Sequence, residues 1–322
     1  ILLGGVTRLT HSGLSMVEWK PLMGVIPPLN EAEWQATFDK YKQFPEYQKI
    51  NRGMALDDFK YIFMYEYLHR VLGRLIGVMF LLPMLYFAFK GRVRPGLMPK
   101  LVLWFFMGGF QGLLGWYMVK SGLVNDTHVS QYRLTAHLGV AVAIYAYMLW
   151  LVFDLLFPVR DDARGAGPLG RWSLTLVALV YLMILSGGLV AGTRAGYAYS
   201  TWPLMGPTFI PETVYSGTPA WLDMFEDITT IQFNHRMFAY LLFVLINVFA
   251  LLVYRRGSGS LAKPGALLLV LALWVQVSLG ISTLLLHVPV AVAAAHQGGA
   301  VALLSAMLFI SHVLVRQRAI PG

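Results

Sequence analysis

Long apolar blocks recur along this chain of 322 residues, separated by short charged stretches. Each block approaches the roughly 20 residues that a helix needs to cross a bilayer core. Hydrocarbon offers the backbone no hydrogen-bond partners, so only helices or a closed barrel can span it. The ~10-residue alternating strands of a barrel are missing from the sequence. The blocks predict helical spans over residues 61–89, 101–120, 132–157, 172–193, 229–254, 265–287 and 290–314. The opening ILLGGVTRLT reads as the tail of a further span that ends near Thr10. Because the chain starts at Ile1, without Met, the first helix is expected to be partly missing and any targeting peptide to be trimmed. The fold class is therefore an all-α polytopic membrane protein with eight transmembrane helices.

Composition agrees: 57% of residues are hydrophobic and only 13% charged, about half the charged share of a soluble domain. There are no cysteines, which excludes disulfides, thiolate catalysis and iron–sulfur or cysteine–zinc sites. The net charge of +9 does not point to nucleic acid, because of where it lies. Lys90, Arg92, Arg94, Lys100, Arg160, Arg164, Arg171, Arg255, Arg256, Lys263, Arg316 and Arg318 all fall in loops on one side. The positive-inside rule puts these loops and the C-terminus in the cytoplasm or matrix, where lipid headgroups are their natural partners. Residues 17–60 and 194–228 then face outward. Within the first, NEAEWQATFDKYKQF places Trp34, Phe38 and Tyr41 at helical spacing. That helix lies either on the membrane surface or against the rest of the loop.

The two halves of the chain resemble each other. GGVTR…EWKPLMG (Gly4 to Gly24) is matched by GGLVAGTR…TWPLMG (Gly187 to Gly206). Glu66-Tyr-Leu-His69-Arg70 is matched by Gln232-Phe-Asn-His235-Arg236. Gln111-Gly-Leu-Leu-Gly115 is matched by Gln276-Val-Ser-Leu-Gly280, and Ala136-His137-Leu-Gly139 by Ala295-His296-Gln-Gly298. The motifs come in the same order, so the chain reads as two pseudo-symmetric four-helix bundles, residues 1–158 and 159–322. Parallel repeats also occur in transporters.

Each half carries one histidine in its second span and one in its fourth. His69, His137, His235 and His296 lie six to eight residues inside their spans, or ~9–12 Å deep at ~1.5 Å per residue, all toward the outer leaflet. Two imidazoles facing each other across a bundle can ligate iron from both sides. A single intramembrane histidine could merely hydrogen-bond a neighbouring helix, but four in a repeated pattern favour ligation, because polar groups in a bilayer are costly. His11, His128, His287 and His312 break the repeat and read as bystanders. Gly73, Gly77, Gly108, Gly109, Gly112, Gly115, Gly139, Gly187, Gly188, Gly280, Gly298 and Gly299 would admit a flat cofactor or simply close helix packing. Arg70 and Arg236 could pair with haem propionates or snorkel to headgroups; Arg8 and Arg194 invite the same reading. Glu66 and Gln232 differ in one respect that matters. Both lie one turn from their histidine, but only Glu66 can carry charge or protons, so the first half is expected to do chemistry.

GGVTRLTHSGLSMVEW, EYLHRVLGRLIG, FQGLLGWYMVKSG, VSQYRLTAHLG, FNHRM and AAAHQ together resemble the haem A synthase family along essentially the whole chain. The long first outer loop without a cysteine pair is similar to the mitochondrial and proteobacterial branch. The resemblance implies a membrane oxidoreductase that converts haem O to haem A by taking a ring methyl to a formyl group. It implies a haem b held by His235 and His296, a substrate haem facing His69 and His137, and an essential role for Glu66. A haem O synthase upstream and a terminal oxidase downstream follow as partners. A bacterial plasma membrane is the expected location, with the mitochondrial inner membrane as the alternative. A homo-oligomer is compatible with the sequence. The competing reading is a non-catalytic di-haem b cytochrome exchanging electrons with quinols; it accounts for the histidines and leaves Glu66 without a task.

Overall fold

The computed structural model describes residues 1–17, 26–122, 129–157, 167–257 and 260–316. Glu18 to Gly24 of the first repeated motif, His128, Arg160, Arg164 and Arg318 lie outside the described residues. The described chain is helical, with the elements α1 (Leu2–Leu9), α2 (Glu31–Tyr41), α3 (Pro45–Lys49), α4 (Leu56–Phe89), α5 (Met98–Gly122), α6 (Gln131–Leu156), α7 (Pro168–Thr193), α8 (Asp223–Glu226), α9 (Ile228–Arg256), α10 (Ala262–Leu285) and α11 (Val290–Arg316). Seven of them, α4 to α7 and α9 to α11, are long and apolar enough to cross a membrane. The fold class is therefore that of an all-α polytopic membrane protein, and α1 ends where the sequence places the end of its first span.

The predicted spans recur with ends displaced by a few residues. The largest difference is at α4, which begins at Leu56 and not near residue 61. Its 34 residues amount to roughly 50 Å, longer than a bilayer core requires. The surplus falls at the N-terminal end, where Asp57, Asp58 and Lys60 sit in the first turns.

The chain divides into two compact units, Ile1–Val140 and Ala141–Gly322. In the first, α4 packs against α1, α5 and α2. The α2 segment starts on a well-formed cap. Asn30 Oδ1 accepts from the Glu33 amide at 2.9 Å, and Glu33 reaches back to the Leu29 amide at 2.8 Å. Its apolar face settles the two alternatives left by the sequence. Trp34, Phe38 and Tyr41 lie on the outer end of α4: Trp34 meets Phe63 edge-on at 5.1 Å, while Phe38 and Tyr41 stack on Phe59 at 4.9 and 5.0 Å. The helix is thus a lobe packed on α4, with Phe59 and Tyr41 fully buried.

In the second unit α7, α9, α10 and α11 form a closed four-helix arrangement, with α7 and α10 each packed against both α9 and α11. Leu176, Ile246, Phe249, Leu269, Leu304 and Ile310 are buried in it. The C-terminal part of α6 belongs to this unit. Tyr145 bonds Ser305 at 2.8 Å, and Asp154 meets Nε2 of the buried His312 at 3.0 Å. His312, which breaks the repeat, thus has a structural partner of its own.

Phe59→Ala removes the ring on which Phe38 and Tyr41 stack, at a cost of about 3–5 kcal/mol for a buried aromatic. The α2–α3 lobe should become cleavable by protease between residues 30 and 55 while the spanning helices remain protected. Unchanged resistance in that segment would show that the lobe is held by something other than this cluster.

Candidate functional site

Each half brings its own two histidines together. His69 on α4 and His137 on α6 lie within reach of each other's charge, as do His235 on α9 and His296 on α11. Every one of these rings sits against a glycine of a neighbouring helix. A Cβ on Gly4 would come 3.1 Å from His69 Nε2, and one on Gly187 would come 3.4 Å from His235 Cε1. A Cβ on Gly115 would come 2.9 Å from His137 Cε1, and one on Gly280 would come 2.8 Å from His296 Cε1. Contacts below 3.0 Å require something to move. At Gly115 and Gly280 the imidazole thus occupies the space a side chain would need, at Gly4 the fit is tight, and at Gly187 a Cβ would make ordinary contact. Not all the small residues serve this way. Among the described residues, a Cβ on Gly73, Gly77, Gly108, Gly109 or Gly112 would meet nothing within 4 Å.

The rings also have polar neighbours. Gln111 Nε2 lies 3.1 Å from His137 Nδ1 and donates to the His137 carbonyl at 2.9 Å. Ser186 Oγ lies 3.0 Å from His235 Nδ1. Other atoms are buried without a partner: His296 Nδ1, Gln276 Oε1, Gln111 Oε1 and Arg236 Nε. Ser186 carried no signal in the sequence. Gln111 and Gln276 did, as anchors of the repeat, but nothing in their spacing assigns them to the histidines.

One turn before His69 on α4 lies Glu66, 3% exposed. Ser15 Oγ and the Met16 amide each donate to its Oε2 at 2.8 Å. The Arg70 guanidinium pairs with Oε1 and also donates to the Met16 carbonyl at 3.0 Å. Such charge-assisted bonds are stronger than neutral ones, so the carboxylate is fixed in place. Ser15 and Met16 were missed by sequence reasoning. Their role comes from a tertiary contact across 50 residues of chain, which no local pattern announces.

The second half has the same frame without the carboxylate. Gln232 Nε2 donates to the Tyr199 carbonyl at 3.1 Å. Arg236 donates to the carbonyls of Tyr199 at 2.8 Å, Thr201 at 2.8 Å and Leu204 at 3.3 Å. Met16 and Tyr199 stand at the same offset along the chain as Gly4 and Gly187. In both halves, then, the residues flanking the α4 or α9 histidine clamp the segment that follows α1 or α7. The arginines, read from sequence as candidate partners for propionates, spend at least part of their donors on this clamp.

Residues 1–308 match the model of the COX15-CtaA family, described as cytochrome oxidase assembly protein. The chain is 51% identical over 319 residues to a protein named heme A synthase from Nitrosospira multiformis, covering 98% of this chain and 90% of that one. It is 49% identical over 324 residues to a heme A synthase from Paramagnetospirillum magneticum, with 98% and 90% covered. A heme A synthase from Nitrosomonas eutropha is 47% identical over 320 residues, with 98% and 89% covered.

Breaking a buried ion pair on one side costs about 3–5 kcal/mol, because it leaves a buried charge alone. Arg70→Gln should therefore lower the melting temperature of the purified protein. Adding Glu66→Gln should restore most of the loss, since the second half holds a glutamine at that place. A double variant no more stable than the single one would show that the pair is not the source of the effect.

Proposed function

This chain belongs to the COX15-CtaA family of cytochrome oxidase assembly proteins, and from that premise we propose that it is a haem A synthase. It oxidises a ring methyl of haem O to a formyl group, giving haem A for a terminal oxidase. A haem O synthase supplies the substrate. The first half, residues 1–158, does the chemistry, and the second, residues 159–322, holds a haem b between His235 and His296. The basic loops and the C-terminus face the cytoplasm of a bacterial plasma membrane.

The observation that carries this reading is the contrast between Glu66 and Gln232 inside one repeated frame. The two centres share paired histidines, glycine seats and a clamping arginine. They differ in that one has a fixed carboxylate beside its histidines and the other a neutral amide of the same shape. A purely electron-carrying protein would have no use for that difference.

The residues also fit the implied haem b. His235 and His296 offer imidazole nitrogens from two helices, and His296 Nδ1 has no hydrogen-bond partner among the described residues. Gly187 and Gly280 leave the rings their space. Arg236 keeps a buried Nε without an acceptor, suited to an anionic group such as a propionate. When bound, haem b supplies one-electron redox chemistry at this place. In the first half, His69 and His137 orient the substrate haem, and Arg70, Ser15 and Met16 hold Glu66 on the same face of α4. With water as oxygen source, taking a methyl to a formyl group releases four protons and four electrons, the latter to a one-electron acceptor. Glu66 steadies positive charge that develops at the reacting carbon, an electrostatic role that works best in a preorganised, water-poor site.

Glu66→Gln should keep haem b and lose haem A formation, measured by extracting and identifying the haems after co-expression with a haem O synthase. If that variant made haem A at the normal rate, the assignment of Glu66 would be wrong. Haem b alone in the wild type, with supplied haem O unconverted, would leave a cytochrome and no synthase.

The glycine seats separate the halves. Overpacking a well-filled site costs about 1–3 kcal/mol. Gly280→Val should therefore deplete haem b, while Gly115→Val should depress conversion and leave the haem b content near normal. Equal haem b loss in both variants would argue against separate duties for the two centres.

A further inference from the structure

Glu46 is a second buried carboxyl in the first unit, and the chemistry above makes no use of it. It lies on α3, 7% exposed. Its Oε2 accepts from the Tyr41 hydroxyl at 3.2 Å, and that hydroxyl oxygen accepts from Asn51 Nδ2 at 2.8 Å. Both partners are neutral. Burying a carboxyl with neutral company is costly, and burial pushes Glu46 up to about 7; the Tyr41 bond opposes this, and the negative charge of Glu66 adds to it.

The placement connects the two acids. Tyr41 stacks on Phe59, two turns outward from Glu66 along the same face of α4. The lobe built on Phe59, Ile62 and Phe63 lies over that face, beneath which Glu66 and Ser15 are 3% and 1% exposed. The ionisable groups that bear on Glu46 are Tyr41 from α2 and Glu66 from α4, the latter with Arg70 as its counter-charge. Tyr47 on its own helix packs edge-on to Tyr41 at 5.8 Å.

Protons shed beneath this lobe need a way out, and Glu66 is ill-suited to carry them. Both its oxygens are taken, by Ser15, Met16 and Arg70. Glu46 accepts from one neutral donor at Oε2 and pairs with no cation among the described residues. We propose that Glu46 receives the protons released at the Glu66 centre and passes them to the outer water. It is a relay residue for the methyl oxidation proposed above, and the inference rests on that reading. In each passage an O–H bond breaks at the Glu66 centre, an O–H bond forms on the Glu46 carboxylate, and that bond then breaks to water. No electron moves in the relay. A group that hands on protons works best when it titrates near the working pH.

The test uses the full chain, co-expressed with a haem O synthase and assayed in membranes between pH 5.5 and 8.5. The wild-type rate of haem A formation should rise through the neutral range as Glu46 becomes able to accept. Glu46→Gln should keep haem b, lose at least about tenfold in rate above pH 7 and show no such rise. Glu46→Asp should retain a rise. A Glu46→Gln profile that overlays the wild type overturns the relay. If Glu46→Gln loses haem b through misfolding, Tyr41→Phe decides. Loss of the hydroxyl that lowers Glu46 should move the rise to higher pH, and an unmoved profile overturns the proposal.

A readout independent of turnover is the infrared band of the protonated carboxyl. It should titrate near pH 7 in the wild type, vanish in Glu46→Gln and titrate lower in Glu66→Gln, where the raising charge is gone. An unshifted band in Glu66→Gln overturns the coupling. A wild type that makes no haem A sinks the synthase reading instead, and the infrared comparison still tells whether the two acids are coupled.

Discussion

A polar group near the hydrocarbon layer must find its partner within the protein, because an unpartnered one costs several kcal/mol. The local structure around both histidine pairs follows from that demand. Glu66 can remain buried because Ser15, the Met16 amide and Arg70 converge on it. Gln232 and Arg236 are buried because the segment after α7 turns the carbonyls of Tyr199, Thr201 and Leu204 toward them. These bonds fix where the outer segments leave α1 and α7. They thereby fix Gly4 against His69 and Gly187 against His235. The seats of His69 and His235 thus lie next to polar groups that are satisfied one turn away, while His137 and His296 sit against Gly115 and Gly280.

Duplication of this frame explains why a single substitution between the halves carries so much weight. The arginine after the histidine is kept in both, but its electrostatic meaning differs. Arg70 is neutralised by Glu66 and presents little net charge. Among the described residues Arg236 is held by carbonyl dipoles alone, so its positive charge has no counter-charge there and one buried donor is left over. An anionic cofactor group would gain from the second arrangement and much less from the first. The proposed division of labour, with a resident haem in the second half and a passing substrate in the first, agrees with that difference in field.

Much of this was legible in the sequence, for physical reasons. The order of the seven long spans follows from apolar length, whereas the eighth expected span is represented only by the short α1; α4 differed where charged residues extend its N-terminal end. The four histidines and the Glu66/Gln232 contrast stand out because polar residues inside spans are rare and the repeat supplies an internal control. The partners of Glu66 were not legible. Ser15 and the Met16 amide lie in a stretch whose spacing says nothing of α4. The amphipathic segment at Trp34, Phe38 and Tyr41 was ambiguous for a related reason, since an apolar stripe suits a lipid surface and a protein surface alike. Only the rings of Phe59 and Phe63 decide between them. The glycines divide for the same reason. Sequence shows where a side chain is lacking, but only the neighbours show whether a ring fills that space, as at Gly115 and Gly280, or nothing does, as at Gly108 and Gly112.

A methyl oxidation must dispose of electrons and protons, and the two need different surroundings. Electrons can leave through a cofactor held by neutral ligands, and a titrating acid beside it would only tie its potential to pH. The second half satisfies this with Gln232 at the position where the first half has a carboxylate. Protons must travel between groups that can change charge, and buried acids belong where such groups are kept near water. In the first half that group is Glu46, in a lobe of α2 and α3 that owes its place to stacking on Phe59, while Glu66 stays locked by Ser15, Met16 and Arg70. The second outer segment is gripped differently, by Arg236 on a run of backbone carbonyls, and that grip contains no group that titrates near neutrality. The unequal outer segments of an otherwise repeated protein thus follow from unequal tasks. On the proposed reading, one half has to let protons out, and the other has only to hold its cofactor still.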